Sequence, residues 1–231
     1  MPVTETAAQT TAEERQVNVS AGSVKLDGSL VLPEDTRAVV LFVHGSGSSR
    51  YSPRNQYVAR LLNDGKLATL LIDLLTPEEE ALDARTAHLR FDIGLLAERV
   101  VAATDWLDQY PDTSNLPLGY FGASTGAAAA LVGAATRPDV VGAVVSRGGR
   151  PDLAGAALPY VQAPTLLIVG GNDVEVIQLN RQAFAQLRCE KRLAIIPGAS
   201  HLFEEPGALD EVALLARDWF ERHLILANSR G

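Results

Sequence analysis

Six short and almost uninterrupted apolar runs, at residues 38–43, 67–72, 118–121, 140–145, 165–169 and 193–196, alternate with amphipathic stretches of helical length at 53–64, 92–110, 124–136, 176–188 and 207–224. A strand that meets water on one face alternates apolar and polar residues, whereas a strand covered by helices on both faces reads as a continuous apolar run. Strands and helices in this alternation are joined by right-handed crossovers, so the runs are expected to lie parallel in one open sheet. The predicted fold class is α/β, doubly wound and mostly parallel. Residues 17–19 and 24–32 are β-rich around Ala21-Gly22 and are expected to pair antiparallel at the sheet edge. Residues 1–15 are polar and lack periodicity, which predicts a loosely ordered N-terminal arm ahead of a single domain at 16–231. A chain of 231 residues buries one sizeable core and is short for two.

In an open parallel sheet the ligand sits beyond the carboxyl ends of the strands. Only residues 148–163 separate the run ending near Ser146 from the one beginning at Thr165. That leaves no room for a helical lid domain, and an open, shallow site is expected.

The pentapeptide Gly122-Ala123-Ser124-Thr125-Gly126 follows one apolar run and opens the alanine-rich stretch 127–135. A G-x-S-x-G between strand and helix exposes its serine at the top of the sheet, on a turn too tight for bulky neighbours. Ser124 is thus the candidate nucleophile. A serine hydroxyl needs a base within hydrogen-bond reach, and the base needs a carboxylate to orient it. Asp173 follows the run 165–169 through Gly170-Gly171-Asn172, and His201 follows the run 193–196 through Pro197-Gly198-Ala199-Ser200. The order Ser, Asp, His is that of a triad on this architecture. Taken singly, Asp173 reads as a helix N-cap and His201 as a surface histidine; their joint placement makes them a relay to Ser124.

Acyl transfer also needs backbone N–H groups aimed at the developing oxyanion. Thr125, next to the nucleophile, is expected to supply one. The second is expected from the loop His44-Gly45-Ser46-Gly47-Ser48-Ser49, with Ser46 the first choice and Gly47 the second. The same loop as a nucleotide cradle lacks a Gly-Lys-Ser/Thr sequence and has Arg50 where a third glycine belongs.

The balance of 28 acidic against 20 basic residues, a net charge of -8, argues against nucleic acid or an anionic membrane as the main partner. The single cysteine, Cys189, excludes an internal disulfide and leaves no cysteine cluster for a metal. No signal segment or apolar run of roughly 18 residues is present, so a cytoplasmic protein is expected. Its expected partners are a small-molecule ester and at most a second copy of itself, as monomer or homodimer, with no metal.

With these residues in hand the chain resembles the α/β-hydrolase superfamily, nearest the small lidless branch grouped with the dienelactone hydrolases. The resemblance spans about 17–224 and rests on Val43-His44-Gly45-Ser46-Gly47, Gly122-Ala123-Ser124-Thr125-Gly126, Gly170-Gly171-Asn172-Asp173 and Ser200-His201. It implies an eight-stranded sheet with one antiparallel strand, a Ser or Cys nucleophile, and hydrolysis of esters, thioesters or lactones without a cofactor. Dienelactone hydrolases proper use cysteine where this chain has Ser124, which favours a carboxylesterase acting on small or compact acyl groups. Acyl transfer to an acceptor other than water, or lactone opening, would use the same three residues, and a binding module that has lost catalysis would keep only the fold.

Arginines flank the expected rim: Arg50 and Arg54 after the glycine loop, Arg147 and Arg150 after the run 140–145. Arg50 and Arg147 are candidates to hold a substrate anion through a bidentate contact. Asp73, Asp92, Glu204 and Glu205 are alternative partners, in ion pairs that would merely pin the loops.

Overall fold

The computed structural model describes residues 13–226. Its eight strands are β1 (Glu13–Ala21), β2 (Val24–Leu32), β3 (Ala38–Val43), β4 (Leu67–Ile72), β5 (Leu118–Ala123), β6 (Val141–Arg147), β7 (Thr165–Gly170) and β8 (Lys191–Ile196). They form one sheet in the order β1-β2-β4-β3-β5-β6-β7-β8. β2 runs antiparallel to both its neighbours, and the pairs from β4 through β8 are parallel. The expected edge pair is present, with Ala21 opposite Val24 across Gly22, whose φ of 62° suits a residue without a Cβ.

β1 begins at Glu13, so the last residues of the expected arm belong to the sheet, where Glu13, Glu14 and Arg15 pair with Leu32, Val31 and Leu30. Their polar character conceals the strand because one side of this edge faces water, and the Arg15 guanidinium binds Glu13 and Asp112 there. Residues 1–12 of that arm lie outside the described residues.

The helices are α1 (Pro53–Asp64), α2 (Pro77–Thr86), α3 (Ile93–Gln109), α4 (Thr125–Thr136), α5 (Val174–Gln186) and α6 (Ala208–Phe220). Every residue of β3, β4, β5 and β7 is buried, because helices cover both faces. Strand alternation sorts the core into two layers. Val39, Leu41 and Val43 pack with Val100, Leu131 and other residues of α3 and α4, while Val40 and Phe42 pack with Leu62 of α1 and Phe220 of α6. The Phe42 and Phe121 rings stack at 4.8 Å on the second side. Each fully buried side chain of this size contributes on the order of 2 kcal/mol through removal from water.

One helix differs from expectation. α2 has no apolar stripe, since its sequence is PEEEALDART and Asp83 is its one buried residue. Its local signal is instead a capping box: Thr76 Oγ1 accepts from the Glu79 N–H at 3.2 Å and Glu79 accepts from the Thr76 N–H at 2.8 Å. The connection between β6 and β7 contains a 3₁₀ segment, Pro151–Tyr160, broken at Gly155, and inserts no lid. α2 and the 3₁₀ turn Leu89–Phe91 stand beside the loop that follows β3.

Candidate active site

β5 ends in a reversal so sharp that Ser124 has φ 50° and ψ -126°, a conformation costly for a residue with a side chain, on the order of 1–3 kcal/mol. The surrounding glycines make it feasible. A Cβ on Gly126 would lie 2.3 Å from the carbonyl oxygens of Val43 and His44, and one on Gly122 would lie 2.5 Å from Ala127 Cα. Gly45 completes the crowding, since a Cβ there would stand 2.8 Å from the Ser124 Cβ. The glycine loop therefore rests directly against the candidate nucleophile.

Asp173 occupies the N-cap position of α5, yet its side chain makes no capping bond. Its Oδ2 instead lies 2.6 Å from His201 Nδ1, with the Asp173 carboxylate mostly buried and the imidazole part-exposed. Ser124 and His201 line one cavity of about 180 Å³. The structure thus brings the three residues to one rim: Ser124 at the end of β5, Asp173 after β7 and His201 after β8. His201 is held by its own loop, where Glu205 accepts from the Ser200 N–H at 3.0 Å, a contact that draws the Glu205 carboxyl below its ordinary range.

The glycine loop is anchored by His44. Its Nε2 accepts from the Leu74 N–H at 3.0 Å, so the ring proton sits on Nδ1 and is donated to the Gly45 carbonyl at 2.9 Å. Both nitrogens are satisfied in the neutral form, and burial pushes the His44 pKa down. Sequence reasoning placed His44 in the loop without giving it this role.

Ser46 contacts the residue that follows Ser124. Its N–H donates to Thr125 Oγ1 at 2.9 Å, and the two hydroxyls lie 3.2 Å apart. The amide expected as an oxyanion donor is therefore hydrogen-bonded to the Thr125 side chain in this structure. Thr125 itself stands at the N-terminus of α4, and Gly47, with φ 67°, lines a neighbouring cavity. That cavity, about 300 Å³, is bounded by the glycine loop and by Leu74, Leu75, Ala84, Arg90 and Leu96.

Of the flanking arginines, Arg50 is not free for a substrate. Its backbone N–H donates to Asp73 at 2.6 Å, and its guanidinium also binds Asp73. Arg150 is taken up by Asp152 through two bonds of 2.9 and 2.8 Å. Arg54 meets the exposed Glu204 at 3.5 Å. Arg147 is buried, lines the cavity with Ser124 and His201, and leaves Nη1 without a hydrogen-bond partner. No group of three or more His, Cys, Asp or Glu side chains suited to a metal occurs among the described residues. No helix of the described residues is long and apolar enough to cross a membrane.

Comparison with known proteins agrees with this architecture. The model of the dienelactone hydrolase family matches residues 26–227. The crystal structure of a dienelactone hydrolase from Anabaena variabilis ATCC 29413 is 66% identical, superposes with a TM-score of 0.91, and covers 92% of this chain and 99% of that one. Est1E from Butyrivibrio proteoclasticus shares the fold at a TM-score of 0.74 and 14% identity, over 90% of this chain and 98% of the other. Putative phosphoribosyl transferase Rv0571c of Mycobacterium tuberculosis (strain ATCC 25618 / H37Rv) is 56% identical over 218 residues, 94% of this chain but 48% of that protein. The chain thus spans about half the length of the curated relatives it matches. The match along nearly the whole domain, together with the shared fold, shows that this chain belongs to the dienelactone hydrolase family.

Proposed function

We propose that the protein is a serine hydrolase that cleaves carboxylic esters of small or compact acyl groups through an acyl-enzyme. The observation that carries this reading is the contact of Asp173 with His201 at 2.6 Å, made by a residue whose position would otherwise call for a helix cap. With Nδ1 bound to the carboxylate, Nε2 is the nitrogen available as base. His201 removes the Ser124 proton while Oγ attacks the ester carbonyl. The tetrahedral oxyanion is held by the Thr125 N–H and by the Ser46 N–H once the Thr125 hydroxyl rotates off it. Collapse expels the alcohol, which takes the proton from His201. Water, deprotonated by the same imidazole, then attacks the acyl carbon and releases the acid and Ser124.

Support for compact acyl groups comes from the small size of the cavities on this rim, about 180 Å³ where Ser124 and His201 line the wall and about 300 Å³ beside the glycine loop. The phosphoribosyl transfer named for the longer relatives is not carried over, since those proteins hold as much sequence again in which it can reside. A cytoplasmic setting, and a state no larger than a homodimer, complete the reading. The test is a fluorophosphonate probe with p-nitrophenyl acetate turnover: the wild type is labelled and active, whereas Ser124→Ala is neither, with an unchanged circular dichroism spectrum. Turnover retained by Ser124→Ala would refute the assignment. Added alcohol or peroxide that diverts the acyl group from water would identify the acyl-transfer variant of the same chemistry.

A further inference from the structure

Beside Ser124 the cavity wall carries two guanidiniums, and that of Arg147 has no ion pair among the described residues. Arg147 closes β6 in register with Ala123, and its carbonyl accepts the Ser124 N–H at 3.3 Å, so its backbone adjoins the candidate nucleophile directly. Its side chain is more than nine-tenths buried, forms no ion pair among the described residues, and leaves Nη1 unpartnered. Arg54, at the start of α1, lines the same cavity, and its buried Nε also lacks a partner. Its carboxylate neighbour Glu204 is largely exposed and stands at 3.5 Å. The N-terminus of α1 opens onto the cavity through Ser52, Arg54 and Asn55 and adds the positive end of a helix of 12 residues.

A guanidinium buried without a hydrogen-bonded anion is destabilised twice, by lost hydration and by the like charge beside it. Burial first, and Arg54 second, lower the Arg147 pKa to about 10, which leaves it charged at neutral pH. Arg50 and Arg150 lie near the same rim, yet each is matched to an aspartate. Of the four rim arginines Arg147 is thus the one without an ion pair among the described residues, while Arg54 has the exposed Glu204 at 3.5 Å.

We propose that Arg147 and Arg54 form a subsite for a phosphate monoester group carried by the substrate, a few atoms from the scissile carbonyl. This rests on the hydrolase reading above and narrows it to phosphorylated esters. Two guanidiniums and a helix N-terminus match a dianion better than a single carboxylate, and the fork of each guanidinium suits two oxygens of one phosphate. The cavity of about 180 Å³ restricts the occupant to the anionic group with a short connecting chain.

The test uses three aryl acetates that differ in one substituent: 3-acetoxyphenyl phosphate, 3-acetoxybenzoate and phenyl acetate. The wild type should favour the phosphate, and the ratio of kcat/KM for phosphate over neutral ester should fall about 10- to 100-fold in both Arg147→Gln and Arg54→Gln. Arg150→Gln, whose guanidinium is held by Asp152, should keep the wild-type ratio. Ratios within twofold of wild type in both variants, or a loss confined to the carboxylate substrate, overturn the proposal. If Arg147→Gln does not fold, Arg54→Gln on the helix surface decides. Calorimetry with phenyl phosphate separates this subsite from the hydrolase reading. Binding lost in the variants of a protein that turns over no ester supports the subsite and defeats the esterase, whereas ester turnover with unchanged binding does the reverse.

Discussion

The Ser46 N–H donates to the Thr125 hydroxyl oxygen over 2.9 Å, so a loop after β3 and the first residue of α4 close on one another beside Ser124. In the proposed mechanism this contact makes the Ser46 donor conditional on a side-chain rotation. Removing the hydroxyl with Thr125→Val keeps the shape and releases the amide. The expected outcome is a rise in kcat/KM for p-nitrophenyl acetate of about fivefold, one ordinary hydrogen bond in free energy. A tenfold fall would mean that the hydroxyl positions the donor rather than blocking it.

Asp173→Asn tests the carboxylate without removing its bulk. Because the Asp173 side chain caps nothing, α5 should remain intact, while the amide favours the wrong tautomer of His201. A loss of kcat on the order of 10⁴-fold is expected, with the far-ultraviolet spectrum unchanged. Activity within tenfold of wild type would remove Asp173 from the mechanism.

The glycines of the serine turn are not equivalent to glycines elsewhere. Gly126→Ala drives a methyl to 2.3 Å from two backbone carbonyls and should abolish folding or cost more than about 3 kcal/mol. Gly22→Ala meets no atom within 4 Å and should cost about 1–2 kcal/mol, the strain of its φ of 62° alone. Equal denaturation midpoints for the two variants would contradict the packing around Ser124.

Buried His44 is kept neutral, its pKa lowered chiefly by burial and only partly offset by the Gly45 hydrogen bond. The unfolded imidazole titrates near 6.5, so between the depressed folded value and about 6.5 the unfolded chain binds a proton that the folded chain refuses. The contribution of His44 is therefore fully present above about pH 6.5 and declines as pH falls below it. Thermal midpoints of the wild type and His44→Gln, measured at pH 7.5 and 5.5, should lie closer together at the lower pH. A gap that stays constant would show that His44 does not titrate on unfolding.

What the sequence alone determined is the layered sheet and the positions of its turns. Burial on both faces writes itself locally as uninterrupted apolar runs, which is why the limits of β3, β4 and α1 coincide with those read from residue order. The glycines around Ser124 and the loops bearing Asp173 and His201 were legible for a similar reason, since tight backbone geometry demands particular residues at particular places. β1 exceeds its expected limits and α2 escapes the hydrophobic pattern because both rely on exposed polar residues; the local cues to α2 are its capping box at Thr76 and Glu79, Pro77 at its start and the acidic residues of its first turn.

Tertiary structure decided which polar groups meet. Asp73 claims Arg50, Asp152 claims Arg150, the Thr125 hydroxyl claims the Ser46 amide, and Arg147 is left facing the cavity of Ser124. These outcomes depend on ångström-scale distances between side chains and loops that only the assembled sheet brings together. Charge and hydrogen bonding act through such distances, whereas burial follows the pattern of residues along each strand and helix.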